Sequence, residues 1–301
     1  MTTVAERLAD ARARLEAAGI PGADAPLDVE VLARHALGWD RARLLVHAHE
    51  NEPPDFASAF AGLISRRAQR EPVAQIVGVR EFWERDFEVT ADVLVPRPET
   101  EIIIEEALAF AREQTCARVM DVGTGSGCLA VTIACELADV HIVATDVSAA
   151  ALAVARRNAR RYHVEDRVTL IRSDVLTDVT DVADLIVSNP PYVPEADASA
   201  MQPEVLRYEP HVALFGGATG LEVMHRLFVQ ARDRLADHGR LVVEFGFGQA
   251  AGVSNLAHET GWCVERIRED LQGIPRTVVL SRPSGGRRRD GCLPVLQDHR
   301  G

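Results

Sequence analysis

The sequence lacks the features of a membrane-spanning or secreted protein. No stretch of its 301 residues approaches the roughly 18 consecutive apolar residues that a transmembrane helix needs. The first residues also lack the basic segment and apolar core of a signal peptide. We therefore expect a cytoplasmic protein with no membrane partner.

Metal-binding and disulfide patterns are missing as well. The five cysteines are odd in number and form no C-x-x-C pair. The ten histidines form neither H-E-x-x-H nor a cluster with cysteine. We expect reduced cysteines and no metal site.

Positive charge is scarce, since 33 Lys and Arg residues face 45 Asp and Glu residues, which gives a net charge of −12. A protein that grips a nucleic-acid backbone by electrostatics normally carries a basic face. A nucleic acid is therefore disfavoured as the direct substrate. We interpret the cluster of Arg66, Arg67 and Arg70 as a solvated helix face rather than an RNA contact.

The most informative segment is Asn189-Pro190-Pro191-Tyr192, which follows the apolar run 185–188 and so lies where a buried strand ends. Two prolines offer carbonyl oxygens but no backbone N–H, and the Asn189 side chain adds another acceptor. Such a corner suits a planar NH₂ group, whose flat face Tyr192 would cover. The alternative is an ordinary turn at the end of a strand.

A glycine-rich turn forms the second motif. Arg118-Val119-Met120-Asp121 leads into Gly123-Thr124-Gly125-Ser126-Gly127, and apolar residues then recur at helical spacing. Strand, glycine turn and helix form the layout in which backbone N–H groups and the positive helix end receive a ligand. The spacing is G-x-G-x-G, and Cys128 stands where a dinucleotide fingerprint would need its third glycine.

Acidic residues follow three predicted strands. Asp121 ends the first strand, Asp146 ends the run 140–145, and Asp174 comes just after the run 168–171. The carboxyl ends of parallel strands share one rim of the sheet, and that rim is where α/β proteins bind ligands. Each aspartate alone could instead be a helix cap or a solvated loop charge. Their shared placement favours a site.

Periodicity along the chain predicts a helical segment followed by an α/β domain. Apolar residues recur at helical spacing in two upstream stretches, and a further helix is predicted over 56–70. The stretches contain Val4, Leu8, Ala11 and Leu15, and then Leu27, Val31, Leu32 and Ala36. Alternating residues over 82–95 predict a hairpin, and the strands and helices beyond it predict a mostly parallel sheet. We predict a helical domain over 1–75, a hairpin linker over 76–97, a catalytic domain over 98–282 and a disordered tail over 283–301.

The motifs together resemble a known enzyme family. The glycine turn, the three aspartates and Asn189-Pro190-Pro191-Tyr192 are similar to the motifs of class I S-adenosylmethionine-dependent methyltransferases that methylate amino groups. Segments 71–83, 95–101 and 207–210 more closely resemble the PrmC/HemK family, the protein-(glutamine-N5) methyltransferases of peptide chain release factors. The resemblance runs from about residue 4 to residue 282. Ile76, Glu99 and Val175 depart from the residues usual in that family.

The resemblance implies a fold and a cofactor. The fold would be the Rossmann-like class I methyltransferase fold, α/β with a mostly parallel seven-stranded sheet and an antiparallel edge, preceded by a small all-α domain. S-adenosylmethionine would be the cofactor. The implied cofactor-binding residues are Asp121, Gly123, Thr124, Gly125, Ser126, Gly127, Asp146, Asp174, Val175 and Asn189. Among them, the glycine turn would hold the methionine end, Asp146 the ribose, and Asp174 or the Val175 backbone the adenine.

The resemblance also implies a substrate, the glutamine of the Gly-Gly-Gln loop of class I release factors. Asn189, Pro190, Pro191 and Tyr192 would bind its side chain, with Asn189, Pro190 and Tyr192 as the catalytic residues. Residues 87–100 would lie over the cofactor, Glu209 would lie near the substrate mouth, and the helical domain would dock the release factor.

Two alternatives remain open. The first is an adenine-N6 or guanine-N2 nucleic-acid methyltransferase, which shares the Asn-Pro-Pro-Tyr segment but calls for a basic face or a target-recognition insert. The second is a cofactor-binding module without catalysis, which calls for damage to the glycine turn or to Asn189. The sequence shows none of these features.

Overall fold

The computed structural model describes residues 2–283 of the chain. The chain divides into two compact units, one made of Met1–Val79 with Gln202–Tyr208 and the other of Arg80–Met201 with Glu209 onward. Most of the predicted disordered tail, from residue 284 on, lies outside the described residues. None of the helices within residues 2–283 has the length and apolarity that a bilayer crossing requires.

The α-helices are numbered in chain order. They are α1 (Val4–Ala17), α2 (Ala25–Leu37), α3 (Arg41–His47), α4 (Phe56–Ala68), α5 (Val73–Val77), α6 (Glu101–Glu113), α7 (Cys128–Glu136), α8 (Ala149–Arg161), α9 (Pro203–Tyr208), α10 (Glu222–Ala231) and α11 (Ala250–Glu259). Helices α1–α5 and α9 belong to the first unit.

The strands are numbered in the same way. They are β1 (Val79–Phe82), β2 (Arg85–Glu88), β3 (Arg118–Val122), β4 (His141–Asp146), β5 (Val168–Arg172), β6 (Ala183–Ser188), β7 (Val193–Pro194), β8 (Phe215–Gly217), β9 (Leu235–Glu244), β10 (Cys263–Glu269) and β11 (Pro275–Ser281).

The helical unit packs around its own apolar core. Thr3 and Glu6 form a capping box that starts α1, and the core includes Leu15, Leu32 and Phe60. The predicted stripe on α2 is confirmed at Leu32, which is buried, and at Ala36, which packs against the core, but the buried side of this helix also carries Ala25, Val29 and Ala33. Leu27 lies on the outer face and is 61% exposed.

The arginine cluster at the end of α4 is only partly a solvated face. Arg67 is buried, and it contacts Asp28 Oδ2 at 2.6 Å and Glu204 Oε1 at 3.0 Å. Arg70 binds the other Glu204 oxygen at 2.7 Å, whereas Arg66 is exposed and pairs with Glu71. The ion pairs of Arg67 and Arg70 hold α9 within the helical unit and correct the sequence-based interpretation for these two residues, and the interpretation of a solvated side chain holds for Arg66.

A short hairpin opens the second unit. Strands β1 and β2 are joined by Trp83 and Glu84, whose φ values are +51° and +56°. Two consecutive positive φ angles are typical of the tight type I′ turn that matches the twist of the strands. The hairpin therefore ends at Glu88, and residues 89–97 of the segment predicted as hairpin contain no strand.

The central sheet of the described chain has seven strands in the order β5-β4-β3-β6-β9-β11-β10. Strand β11 runs antiparallel to both of its neighbours, whereas β3 pairs in parallel with β4 and β6, β4 with β5, and β6 with β9. This arrangement confirms the predicted mostly parallel sheet with an antiparallel part supplied by the last two strands.

Helices cover both faces of this sheet, because its strands are apolar on both sides. Successive side chains of a strand point to opposite faces. Leu185 and Val187 accordingly pack in the core beneath α6 and α7, while Ile186 packs in the core beneath α10 and α11. With both faces buried, the ends of the strands remain as the place for a site.

Three cysteines, Cys116, Cys128 and Cys135, are free thiols. Burial raises the pKa of Cys116 and of Cys128 to about 12, so both thiols stay protonated at neutral pH.

Candidate active site

Strand register places the predicted polar residues at one rim of the sheet. Val122 lies opposite Thr145 on one side and Ser188 on the other, and Ser188 lies opposite Val243. The residues that follow Ser188 and Val243 therefore leave adjacent strands at the same level. Register therefore places Asn189 and Glu244 at the same level of the rim.

A cavity of about 400 Å³ opens along this rim, which lies in the range of small-molecule sites. Of the predicted site residues, those that line it are residues 123–126, 174–175 and 189–191 together with Asp146. Asp121, Gly127 and Tyr192 are not among the residues that line the cavity. Asp121 is fully buried, Gly127 precedes α7, and Tyr192 contacts Glu244.

The glycine turn needs its glycines for two different reasons. Gly125 has φ +55°, and an added Cβ would meet nothing within 4 Å, because that position faces open space. Gly127 has φ +80°, and an added Cβ would lie 3.0 Å from the Cβ of Ala155. Gly127 therefore lets α7 and α8 approach each other, while Gly125 leaves room on the cavity side.

Asn158 holds the glycine turn in place through hydrogen bonds. Its Nδ2 donates to the Ser126 carbonyl at 2.8 Å and to the Glu88 carbonyl at 3.0 Å, and its Oδ1 accepts from the Glu88 N–H. The side chain is fully buried. A single amide thus ties the glycine turn to β2.

Asp121 holds the start of the turn. Its Oδ2 accepts from Thr124 Oγ1 at 2.6 Å and from the Ala130 N–H at 3.2 Å. Its Oδ1 is buried and has no hydrogen-bond partner among the described residues. Burial raises the pKa of Asp121 to about 7, although the two hydrogen bonds act in the opposite direction.

Asp146 spans the gap between the turn and α8. Its Oδ2 accepts from the Gly125 N–H at 2.9 Å, and its Oδ1 accepts from the Ser148 N–H at 2.8 Å. Burial raises the pKa of this carboxyl as well. The Asp146 carboxylate is thereby fixed in the cavity wall by backbone donors.

The third acidic position is less constrained. The Asp174 side chain is 61% exposed and lies 3.3 Å from Arg226. The next residue, Val175, has φ +58°, a conformation that costs a β-branched residue of order 1–3 kcal/mol. The Thr145 hydroxyl donates to the Val175 carbonyl at 2.9 Å and holds this wall in place.

The other end of the cavity contains a hydrogen-bond chain. Asn189 Nδ2 donates to Thr100 Oγ1 at 2.9 Å, and Thr100 Oγ1 donates to Glu244 Oε2 at 2.6 Å. The Tyr192 hydroxyl lies 3.5 Å from Glu244 Oε1. Burial raises the pKa of Glu244 to about 7, against the hydrogen bond from Thr100. Burial also raises the pKa of Tyr192, so its hydroxyl remains protonated.

Asn189 Oδ1 and the Pro190 carbonyl accept no hydrogen bond from the described residues. Both residues line the cavity. Two acceptors without a partner among the described residues are therefore available at this corner.

An ion pair connects two segments of the cavity wall. Arg97 Nη2 binds Glu209 Oε1 at 2.6 Å, and the Val95 N–H donates to Glu209 Oε2 at 3.2 Å. Arg97 lines the cavity, as does Pro210, which follows Glu209. Burial raises the pKa of Glu209, and the Arg97 guanidinium opposes this shift.

Sequence reasoning gave Glu244 and Asn158 no role in the site, and it included Thr100 only within the segment 87–100 expected over the cofactor. Glu244 could have been found, since an acid ending the apolar run Leu241-Val242-Val243 follows the same pattern as the other strand-end acids. Asn158 lies on a helix without a distinguishing pattern, and nothing in the sequence points to a contact between Thr100 and Asn189. Within residues 2–283, no cluster of three His, Cys, Asp or Glu side chains is arranged to hold a metal ion.

Family models match both units of the chain. The PrmC N-terminal domain matches residues 6–78, and the methyltransferase small domain matches residues 101–207. A release factor glutamine methyltransferase of Cereibacter sphaeroides is 43% identical over 280 residues, which cover 93% of this chain and 99% of that protein. One of Geobacter sulfurreducens is 44% identical over 85% of this chain and 89% of that protein.

The chain belongs to the release factor glutamine methyltransferase family. The resemblance found in the sequence is thereby confirmed. Among solved structures, the hMettl16 catalytic domain in complex with the MAT2A 3′UTR hairpin 6 aligns with a TM-score of 0.56 at 17% identity, covering 75% of this chain and 84% of that one. This likeness confirms the class I methyltransferase fold.

The walls of the cavity fit the cofactor expected of this family. Behind the residues that line the cavity, Asp121 Oδ1 is a buried acceptor without a partner in the described structure, as an ammonium group nearby would require. Gly125 leaves open space where a side chain would intrude, and the carboxylate of Asp146 faces the cavity. Cationic and hydroxyl groups of a ligand would find acceptors at this end.

Proposed function

We propose that this protein transfers a methyl group from S-adenosylmethionine to the side-chain amide nitrogen of the glutamine in the Gly-Gly-Gln loop of class I peptide chain release factors. The observation that carries the proposal is the uncharged corner at Asn189 and Pro190, with two acceptors at one end of a cavity whose other end carries the glycine turn and Asp146. We place this activity in the cytoplasm, where release factors act.

The glycine turn end would hold the cofactor. Residues 123–127 would take its methionine part, with Asp121 toward the amino group, and Asp146 would take the ribose hydroxyls. Asp174 and the Val175 backbone would border the adenine. The cofactor carries the methyl group on a positively charged sulfur. The leaving group is therefore the neutral thioether that remains when the methyl group is transferred.

The residues at the other end would bind the substrate amide. An amide nitrogen is a poor nucleophile, because its lone pair is delocalised into the carbonyl. Hydrogen bonds from its two N–H groups to Asn189 Oδ1 and the Pro190 carbonyl localise density on the nitrogen and stabilise the positive charge that develops there. They also fix the nitrogen for attack. Tyr192 supports this corner, and Pro191 borders it.

No ionised base is required beside the nitrogen. Its proton becomes acidic when the methyl group has been added, and it then leaves to water. This requirement agrees with the neutral groups at the corner, where the Glu244 carboxyl is separated from Asn189 by the Thr100 hydroxyl.

A nucleic-acid substrate is not favoured. The net charge is −12, and the arginines that could have formed a basic patch on α4 are committed to Asp28, Glu71 and Glu204. The helical unit is instead available to bind a release factor, as its match to the PrmC N-terminal domain suggests.

A competition assay tests the proposal. The protein is incubated with methyl-labelled S-adenosylmethionine, a class I release factor, total RNA and DNA, and each polymer is then counted for label. We expect label on the release factor, lost when the glutamine of its Gly-Gly-Gln loop is changed to Ala. Label on nucleic acid and none on the release factor would reject the proposal.

A further inference from the structure

The role of the hydrogen-bond chain formed by Asn189, Thr100 and Glu244 depends on where each proton lies. A threonine hydroxyl carries one proton, and in Thr100 this proton is donated to Glu244 Oε2 at 2.6 Å. Thr100 Oγ1 can therefore meet Asn189 only as an acceptor. The end of the Asn189 amide that faces Thr100 must then be its NH₂ group, which is the orientation found at 2.9 Å.

We propose that Thr100 and Glu244 are positioning residues that orient the Asn189 amide so that its oxygen faces the substrate nitrogen. This inference rests on the proposed function. An amide turned the other way would present its own NH₂ to the NH₂ of the substrate, so two donors would face each other and no hydrogen bond would form.

This hydrogen-bond chain is protected from water. Thr100 and Glu244 are each 2% exposed, so a solvent molecule has little access to replace either partner. An ionised carboxylate accepts hydrogen bonds but cannot donate them, and it therefore determines the direction of every proton between itself and Asn189. The charged groups that act on Glu244 are Glu99 and Arg276, and the Tyr192 hydroxyl adds a second donor.

The three members come from distant parts of the chain. Thr100 precedes α6, Asn189 follows β6, and Glu244 ends β9. The parallel register of β6 and β9, which pairs Ser188 with Val243, brings the last two together. The sheet thus brings Asn189 and Glu244 together, and the turn that precedes α6 supplies Thr100 between them.

Steady-state kinetics on the full chain test the inference, with a class I release factor and labelled S-adenosylmethionine at about pH 8, where Glu244 is mostly ionised. Thr100→Val keeps the shape but removes the hydroxyl, and we expect kcat to fall about 10- to 100-fold. Thr100→Ser restores a hydroxyl and should return kcat to within about threefold of the wild type. In Glu244→Gln the new amide can donate to Thr100 and reverse the direction of the hydrogen bonds. The kcat of this variant should therefore fall at least as much as that of Thr100→Val.

Thr132→Val is the matched control. Thr132 is fully buried in α7, and its hydroxyl has no partner in the described structure, so its loss should leave kcat unchanged. The dissociation constant of S-adenosylmethionine, measured by calorimetry, should stay within about twofold of the wild type in Thr100→Val. Equal kcat values for Thr100→Val and Thr132→Val, or no recovery in Thr100→Ser, would overturn the inference.

A second readout does not depend on activity. The side-chain NH₂ of Asn189 gives a pair of ¹H–¹⁵N NMR signals, identified by their loss in Asn189→Ala. In the wild type and Thr100→Ser, one of these protons should exchange slowly with solvent, and in Thr100→Val this protection should disappear. Identical signals in wild type and Thr100→Val would reject the orienting role.

The two tests separate the inference from the proposed function. If the wild type labels no release factor, the proposed function fails, while the NMR signals still show whether Thr100 holds the amide. If the wild type labels the release factor and Thr100→Val does so equally well, the orienting role fails and the proposed function stands.

Discussion

The two ends of the cavity are built in opposite ways. The glycine end is one continuous segment, residues 121–127, joined by Asp146, and its ligand-facing groups include backbone positions and a carboxylate. The corner at Asn189 combines three distant segments and keeps its carboxylate, Glu244, one hydroxyl away from the cavity wall. The Asp146 carboxylate thus lines the cavity where a cationic ligand is expected, whereas the Glu244 carboxylate lies behind the Thr100 hydroxyl where a neutral amide is expected.

The largest effect should come from the neutral end. Asn189→Ala removes the side-chain acceptor of the substrate amide, and we expect kcat to fall about 100- to 1000-fold. The affinity for S-adenosylmethionine should change little, because we expect the glycine turn and Asp146 to hold most of the cofactor even though Asn189 borders it. Labelled-methyl transfer and calorimetry measure the two quantities, and a tenfold or greater loss of cofactor affinity would show that the ends are not separate.

At the charged end, a substitution should weaken cofactor binding. Asp146→Ala removes a carboxylate that is fixed by the Gly125 and Ser148 N–H groups, and cofactor affinity should fall about 10- to 100-fold. Asp174→Ala is the matched control, since that side chain is mostly exposed and should matter far less. Equal losses of affinity in the two variants would contradict the difference in burial.

Within the glycine turn, Gly127 should matter mainly for stability and Gly125 mainly for cofactor binding. Gly127→Ala brings a Cβ within 3.0 Å of Ala155 and strains a positive φ, so the free energy of unfolding should fall by about 2–3 kcal/mol. Gly125→Ala meets open space and should cost about 1 kcal/mol, while weakening cofactor binding more strongly. Urea unfolding and calorimetry measure both effects, and the reverse order of stabilities would reject the assignment.

The last expected effect is a dependence of stability on pH, which is small for each pH unit. Asp121 has a folded pKa of about 7, raised by burial above the ordinary 3.8, so the folded state binds the proton more tightly than the unfolded state. Its contribution to stability is present below about pH 4 and is lost as the pH rises to about 7. Asp121→Asn should remove up to about 1 kcal/mol per pH unit from this slope. Urea unfolding from pH 5 to 8 measures the change, and an unaltered slope would contradict the raised pKa.

The features that sequence alone predicted are local. The Gly123–Gly127 turn, the strand before it and the helix after it lie close together in the chain, so spacing and periodicity describe them well. The order of elements also predicted the parallel sheet, because strands that alternate with helices have few other ways to pack. The Asn189-Pro190-Pro191-Tyr192 corner was recognisable for the same reason.

The failures depend on packing. Leu27 and Leu32 are both apolar, but the side of α2 that faces the other helices decides that Leu27 is exposed. Arg67 has the same chemistry as a solvated arginine, and the acids that bury it, Asp28 and Glu204, lie 39 and 137 residues away. Neither partner can be identified from the neighbourhood of Arg67 in the chain.

What the sequence determined by itself is the set of groups available at each end of the cavity, because these groups are written in short contiguous motifs. What only the tertiary structure decided is how the amide of Asn189 is turned. That orientation requires Thr100 and Glu244 to meet it, 89 and 55 residues apart from it along the chain. Hydrogen bonds form between atoms that are close in space: the register of β6 and β9 brings Asn189 and Glu244 close, and the packing of the segment before α6 adds Thr100.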